Sequence, residues 1–161
     1  MIFVTVGTDL PFDRMLRVID QWAGENRCDD VFAQIGEGGW EPRHMPYRHF
    51  LQPPEFREKF DAADLIISHA GMGTILTALH AGKPILVMPK RASLGEHRNE
   101  HQLATARHMM QLRNVNVAFD ETELREMLDH LGELMVPQTI GDHASDSLIQ
   151  GLREFIFTPQ V

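Results

Sequence analysis

The chain carries a single cysteine, Cys28, in 161 residues. A disulfide within the chain is therefore excluded, and a reducing compartment fits. Cys28 reads as a loop or surface thiol before it reads as a nucleophile. Positive charge is also scarce. Lys and Arg number 15 against 23 Asp and Glu, a formal charge of −8, which weighs against nucleic-acid binding, since that needs a basic face. A small anionic ligand remains open, because backbone dipoles bind one without net positive charge. No apolar run approaches the ~20 residues of a membrane span. The start, MIFVTVG, has no basic segment ahead of its apolar run, which predicts no signal peptide. The expectation is a cytoplasmic protein that reaches a membrane only through a partner. Also missing are an Asp-x-Asp pair to hold a divalent ion on a diphosphate, G-x-x-x-x-G-K-[ST], and G-x-S-x-G. Their absence weighs against a P-loop nucleotidase and an α/β-hydrolase.

What is present suits one globular domain over residues 1–161, with 43% hydrophobic and 24% charged residues. Short apolar runs at Ile2–Val6, Val31–Ile35, Leu65–Ser68, Ile85–Met88 and Val115–Phe119 read as strands. His49–Leu51 reads as a further short one. Helical spacing covers Phe12–Ala23, Glu55–Ala62 after Pro53-Pro54, Thr74–Ala81, His97–Leu112, Glu121–Leu134 and Asp142–Phe157. Gly82 and Pro84 are stop signals for the fourth strand's helix. Strands that alternate with helices, and are apolar throughout, predict a doubly wound, Rossmann-like α/β domain with a parallel sheet. Its ligand is expected outside the carboxyl ends of the strands, at the topological switch point.

The most telling stretch is Leu65–Pro84, LIISHAGMGTILTALHAGKP, followed by Glu96–Gln102, EHRNEHQ. A buried strand runs into a glycine turn and at once into a helix. Gly71 and Gly73 let a ligand approach the backbone. The first amides of the helix, expected around Gly73–Ile75, lack partners and carry the positive end of the dipole. A tight turn that binds nothing has the same pattern. Position 76 is Leu where a dinucleotide fingerprint needs its third glycine. His69 ends the strand beside this turn, placed either to bind phosphate or sugar oxygen or to cap the helix. Gln102 falls at i+4 from Arg98 and i+3 from Asn99, so the three share roughly one face at the start of the next expected helix, where they suit sugar hydroxyls or serve as a solvated helix start. His97–His101, HRNEH, also matches the zinc-protease pattern H-x-x-E-H, without an evident third ligand.

Three blocks in this order, VTVGTDLPFDRML, SHAGMGTILTALHAGKPILVMPK and EHRNEHQLATA, resemble the C-terminal, donor-binding domain of glycosyltransferase family 28. The resemblance spans roughly Met1–Ala106. It is greatest to the small catalytic subunits of two-part transferases. It implies one half of a GT-B fold, a UDP-sugar donor with no cofactor or metal, and inverting transfer. It also implies a membrane-anchored acceptor-binding subunit that presents a lipid-linked saccharide acceptor, as in exopolysaccharide or glycan assembly. By the same resemblance, Gly7 and Thr8 face the interdomain cleft. His69, Ala70, Gly71, Met72, Gly73 and Thr74 hold diphosphate and sugar, and Arg98, Asn99 and Gln102 lie near the donor sugar. Many relatives have a ribose-binding Glu where this chain has Thr77, and Glu96 is the candidate substitute. The resemblance assigns no catalytic base. The terminal helix, with Phe155, Ile156 and Phe157, either docks on the partner or packs on this domain's own sheet. Two other readings stay open: a nucleotide-sugar-binding regulatory module without catalysis, and a zinc hydrolase using His97 and His101.

Overall fold

Strands with apolar residues on both faces need cover on both, and the central strands here are laid down to receive it. The computed structural model describes residues 1–111, 115–134 and 136. Six parallel strands form the sheet: β1 (Ile2–Thr5), β2 (Val31–Gln34), β3 (Tyr47–Arg48), β4 (Leu65–His69), β5 (Ile85–Met88) and β6 (Asn116–Val117). Their order is β3-β2-β1-β4-β5-β6. Helices α1 (Asp13–Asn26), α2 (Pro53–Ala62), α3 (Met72–His80), α4 (His101–Gln111) and α5 (Glu121–Asp129) cover it. The order reverses between β1 and β4, so the predicted doubly wound sheet is present, with its switch point there.

Alternation along each strand decides which helix lies on which face. Ile2, Val4, Leu65, Ile67, Leu86 and Met88 face α1 and α5, meeting Met15, Leu16, Ile19, Leu124 and Leu128. Phe3, Ile66, Ile85 and Val87 face α2, α3 and α4, meeting Phe60, Ile75, Leu79 and Met109. Ile67, Ile75 and Leu79 are fully buried, and each such side chain contributes about 2 kcal/mol. Among the described residues no helix is long and apolar enough to cross a membrane.

Several boundaries differ from the sequence expectation, each for a local reason. The third strand is Tyr47–Arg48, not His49–Leu51. Ile35 N–H still bonds Arg48 O at 3.0 Å, but the Leu51 amide turns to the Gln34 side chain at 3.1 Å. α2 starts at Pro53, where Glu55 reaches back to the Gln52 amide at 2.9 Å. α3 starts at Met72 with Gly71 as N-cap, two residues before the expected Thr74. α4 starts at His101, not His97. Asn99 Oδ1 accepts from His101 N–H at 3.0 Å, and Gly95 is left-handed at φ 73°, so 95–100 is a turn. β6 is cut to two residues because the Phe119 amide bonds Glu123 Oε2 at 2.8 Å, at the α5 start. α5 ends at Asp129 and gives way to a 3-10 turn, Leu131–Glu133, around Gly132. The expected helix at Asp142–Phe157, with Phe155, Ile156 and Phe157, lies outside the described residues.

Candidate donor-binding site

Two loops leave the sheet side by side at the switch point. One follows β1 and carries Gly7 and Thr8; the other follows β4 and carries Ala70 and Gly71. His69, the last residue of β4, stands between them. A Cβ at Gly7 would lie 2.7 Å from His69 Cε1, and one at Gly71 would lie 2.3 Å from His69 Nε2. Both distances are below any real contact, so the imidazole fills the space that two missing side chains leave. Gly7 is needed twice over, since its φ is +82°.

The imidazole is held neutral at pH 7. Burial pushes its pKa down to about 4, and the nearby Lys90 ammonium pushes the same way; the Thr5 carbonyl opposes both. Its Nδ1 is buried without a hydrogen-bond partner in the protein. The imidazole itself is among the groups lining the space between the two loops.

Because α3 begins at Met72, the amides of Met72, Gly73 and Thr74 have no acceptor within the helix. The first helical bond is Ile75 N–H to Gly71 O, at 3.2 Å. Two of these residues, Gly73 and Thr74, line a groove of about 1090 Å³ at the positive end of the helix dipole. The groove runs along α3 past Thr74, Leu76, Thr77 and His80, and its opposite wall is Phe50, Leu51, Phe56, Arg57 and Asp61. Polar backbone at one end and an apolar trough beyond it suit a ligand with an anionic part and a planar apolar part. Phe50 is 52% exposed, which leaves an aromatic face free for stacking.

The structure brings together Gly7, Thr8, His69, Gly71, Gly73 and Thr74, all lining that groove. Other expected residues do something else. Ala70 is buried among Phe3, Ile66 and Ile75, and Met72 packs against the same cluster, so they offer backbone only. Thr77 lines the groove, but its hydroxyl bonds back to Gly73 O at 2.7 Å.

Glu96 is not free to replace the ribose-binding Glu. Its two oxygens grip Arg14 at 2.8 and 2.9 Å, and one also accepts from Arg91 N–H at 2.9 Å. The carboxylate therefore ties α1 to the loop after β5. Gln102 is buried, with Oε1 accepting from Lys90 N–H at 3.0 Å. Asn99 caps α4. Arg98 is exposed, 4.0 Å from Asp9. Arg98 and Asn99 precede α4, so the shared helical face inferred for them with Gln102 does not exist. His97 likewise sits in the turn and His101 opens the helix, so these two do not pair at i, i+4 on one helix. Among the described residues no group of three or more His, Cys, Asp or Glu could hold a metal ion.

The far wall of the groove was not foreseen. Phe50, Leu51 and Phe56 have ordinary apolar signals, and only the sheet order β3-β2-β1-β4 brings them opposite α3. The strand and helix expected over His49–Phe56 therefore give no sign of the groove until the topology is known.

Comparison with known proteins agrees with this arrangement. A human relative, "UDP-N-acetylglucosamine transferase subunit ALG13" from Homo sapiens, is 31% identical over 121 residues, which is 67% of this chain. This chain spans only 10% of that relative's length. The solution structure of ALG13 superposes with a TM-score of 0.62 at 19% identity, covering 98% of this chain and 95% of that one. The crystal structure of the kitacinnamycin glycotransferase superposes with a TM-score of 0.58 at 16% identity, covering 96% of this chain but 37% of that one. The fold is thus that of one half of a GT-B glycosyltransferase. The model of the glycosyltransferase family 28 C-terminal domain matches residues 1–137, and the chain belongs to that family.

Proposed function

We propose that this chain is the donor-binding, catalytic subunit of a two-part UDP-sugar glycosyltransferase. One observation carries the reading. The start of α3, whose first amides are free, brings Gly73 and Thr74, beside Gly7 and His69, to a largely apolar groove at the switch point of the sheet. A diphosphate sits on those amides, which donate to its oxygens without a metal. The uracil and ribose lie along α3, against Phe50 and Leu51. The sugar then points past Thr8 towards Arg98 and Asn99, at the carboxyl edge of the sheet.

The chemistry of transfer follows from this placement. Breaking the bond from the anomeric carbon to the diphosphate leaves negative charge on UDP. The fixed amides and the α3 dipole stabilise that charge as it develops, and they need no reorganisation to do so. Attack from the face opposite the diphosphate inverts the anomeric centre. Only one GT-B half is present among the described residues. A membrane-anchored partner supplies the lipid-linked saccharide acceptor and the general base, so this chain works at the cytoplasmic face of a membrane. The family membership and the likeness to a transferase subunit support this reading.

Two experiments test it. Thermal shift with UDP-, GDP- and TDP-sugars reads donor class, and stabilisation by UDP compounds alone is the expected result. Transfer from a UDP-sugar to a lipid-linked acceptor, with and without the cognate partner, reads catalysis. Donor binding without turnover in the reconstituted pair would turn the conclusion to a regulatory nucleotide-sugar-binding module.

A further inference from the structure

Lys90 is buried to 1% exposure two residues beyond β5. An ammonium has three donors. Leu10 O, in the loop after β1, accepts one of them. The Phe12 ring centroid is 5.9 Å from Nζ, and among the described residues no carboxylate is in ion-pair contact with it; Asp9, Glu96 and His69 act on it only from farther off. The Lys90 backbone is itself fixed, because its N–H donates to buried Gln102. A buried cation left with one neutral acceptor is costly to the free protein. Its charge, without a close counter-ion, favours an anion bound beside the loop that it holds.

We propose that Lys90 is a positioning residue for the anionic donor: it clasps Leu10 O to hold the Gly7–Leu10 loop over the α3 amides, and its charge favours the loop arrangement that an arriving diphosphate completes. The proposal rests on the donor-binding reading above. Lys90 is too buried to touch the ligand, so it acts through the loop. Gln102 and the Arg14–Glu96 pair then serve the same end, by fixing where Lys90 and the α1 start stand.

The charged groups facing Lys90 come from several elements. Asp9 on the β1–α1 loop and Glu96 on the β5–α4 loop favour its protonation, and Arg14 on α1 occupies Glu96. His69 on β4 is neutral at pH 7, and His97 also acts on it. Arg98 lies 4.0 Å from Asp9. Burial outweighs the two carboxylates and lowers the Lys90 pKa to about 8. The ammonium is thus charged at neutral pH and titrates within reach of a binding assay.

The test compares full-length wild type, Lys90→Met and Lys90→Arg by UDP titration at pH 7 and pH 9. Both values lie above the terminal phosphate's titration near ~6. Wild type is expected to bind UDP more weakly at pH 9. Lys90→Met is expected to bind about tenfold more weakly than wild type at pH 7, the scale of one charge acting on an anion through a loop. Its affinity should no longer depend on pH in this range. Lys90→Arg should restore affinity at pH 7 and hold it at pH 9. The thermal midpoint of Lys90→Met is expected to equal or exceed that of wild type, because a buried charge has been removed. Unchanged UDP affinity in a folded Lys90→Met would overturn the proposal. So would weaker binding that keeps the wild-type pH dependence. Failure of wild type itself to bind UDP would instead strike the donor-binding reading, and the proposal with it.

Discussion

Gly73 is the residue at which the phosphate cradle can be separated from the fold. It is the second residue of α3, its φ is not positive, and a Cβ built on it meets nothing within 4 Å. The fold therefore has room for a side chain there. Gly to Ala in a helix interior stabilises by about 1 kcal/mol, and roughly half of that is expected in a first turn, where fewer helical bonds depend on it. Val returns most of the gain by restricting χ1. Gly73→Val should then melt within about 2 °C of wild type. The ligand fares otherwise. Cα–Cβ bonds tilt towards the helix N-terminus, so the new side chain leans over the amides of Met72, Gly73 and Thr74. Phosphate oxygens must come to about 2.9 Å from those nitrogens, and a branched side chain holds them off. Losing two charge-assisted hydrogen bonds at about 1.5 kcal/mol each removes about 3 kcal/mol, more than a hundredfold in UDP affinity. Isothermal titration with UDP reads the affinity, and differential scanning fluorimetry reads the fold. Unchanged affinity in Gly73→Val would refute the cradle. A fall in the midpoint of more than ~5 °C would refute the claim of open space.

Three further outcomes follow from the same geometry. Gly71→Ala places a Cβ 2.3 Å from His69 Nε2 and should cost about 2 kcal/mol by overpacking; adding His69→Ala should recover much of that loss in a denaturant double-mutant cycle. His69 has a folded pKa of about 4, below its unfolded value of about 6.5, so the unfolded chain binds more protons between the two. Stability should thus fall as pH drops through that window, by up to about 3 kcal/mol, and His69→Asn should flatten the slope of urea midpoint against pH. Glu96→Ala strips Arg14 and the Arg91 amide of their acceptor and should cost about 2 kcal/mol; a double variant with Arg14→Ala that is fully additive would show that the pair is not coupled.

The fold was largely legible because its strands are unambiguous. Ile2–Thr5, Leu65–His69 and Ile85–Met88 are apolar on both faces, which only a covered parallel sheet accommodates. Three of the boundaries that differ share one cause. At His49–Leu51, His97–Glu100 and Phe119, side chains take backbone partners that a ladder or helix would otherwise use. Asn99 is the sharpest instance: periodicity carries helix signal back to His97, but an Asn oxygen on the His101 amide starts the helix there.

The site was legible where the signal is backbone and illegible where it is partnership. Gly71 and Gly73 mark close approach in the sequence alone, although only the structure tells that Gly71, with Gly7, makes way for an imidazole while Gly73 opens onto free space. Glu96 and Gln102 look like ligand residues because they are polar and near the glycine turn. Their partners, Arg14 and the Lys90 amide, lie 82 and 12 residues away, beyond any local pattern. Two polar residues spent on internal bonds would be a poor use of a binding loop unless what they hold matters to the ligand. Both converge on the β1–α1 loop: Glu96 through Arg14 at the start of α1, and Gln102 through Lys90, which reaches Leu10 O. If the Lys90 proposal holds, the EHRNEHQ block acts on the ligand through the placement of Gly7 and Thr8. Variants at Glu96 and Gln102 should accordingly disturb diphosphate affinity for UDP alone, with no sugar attached.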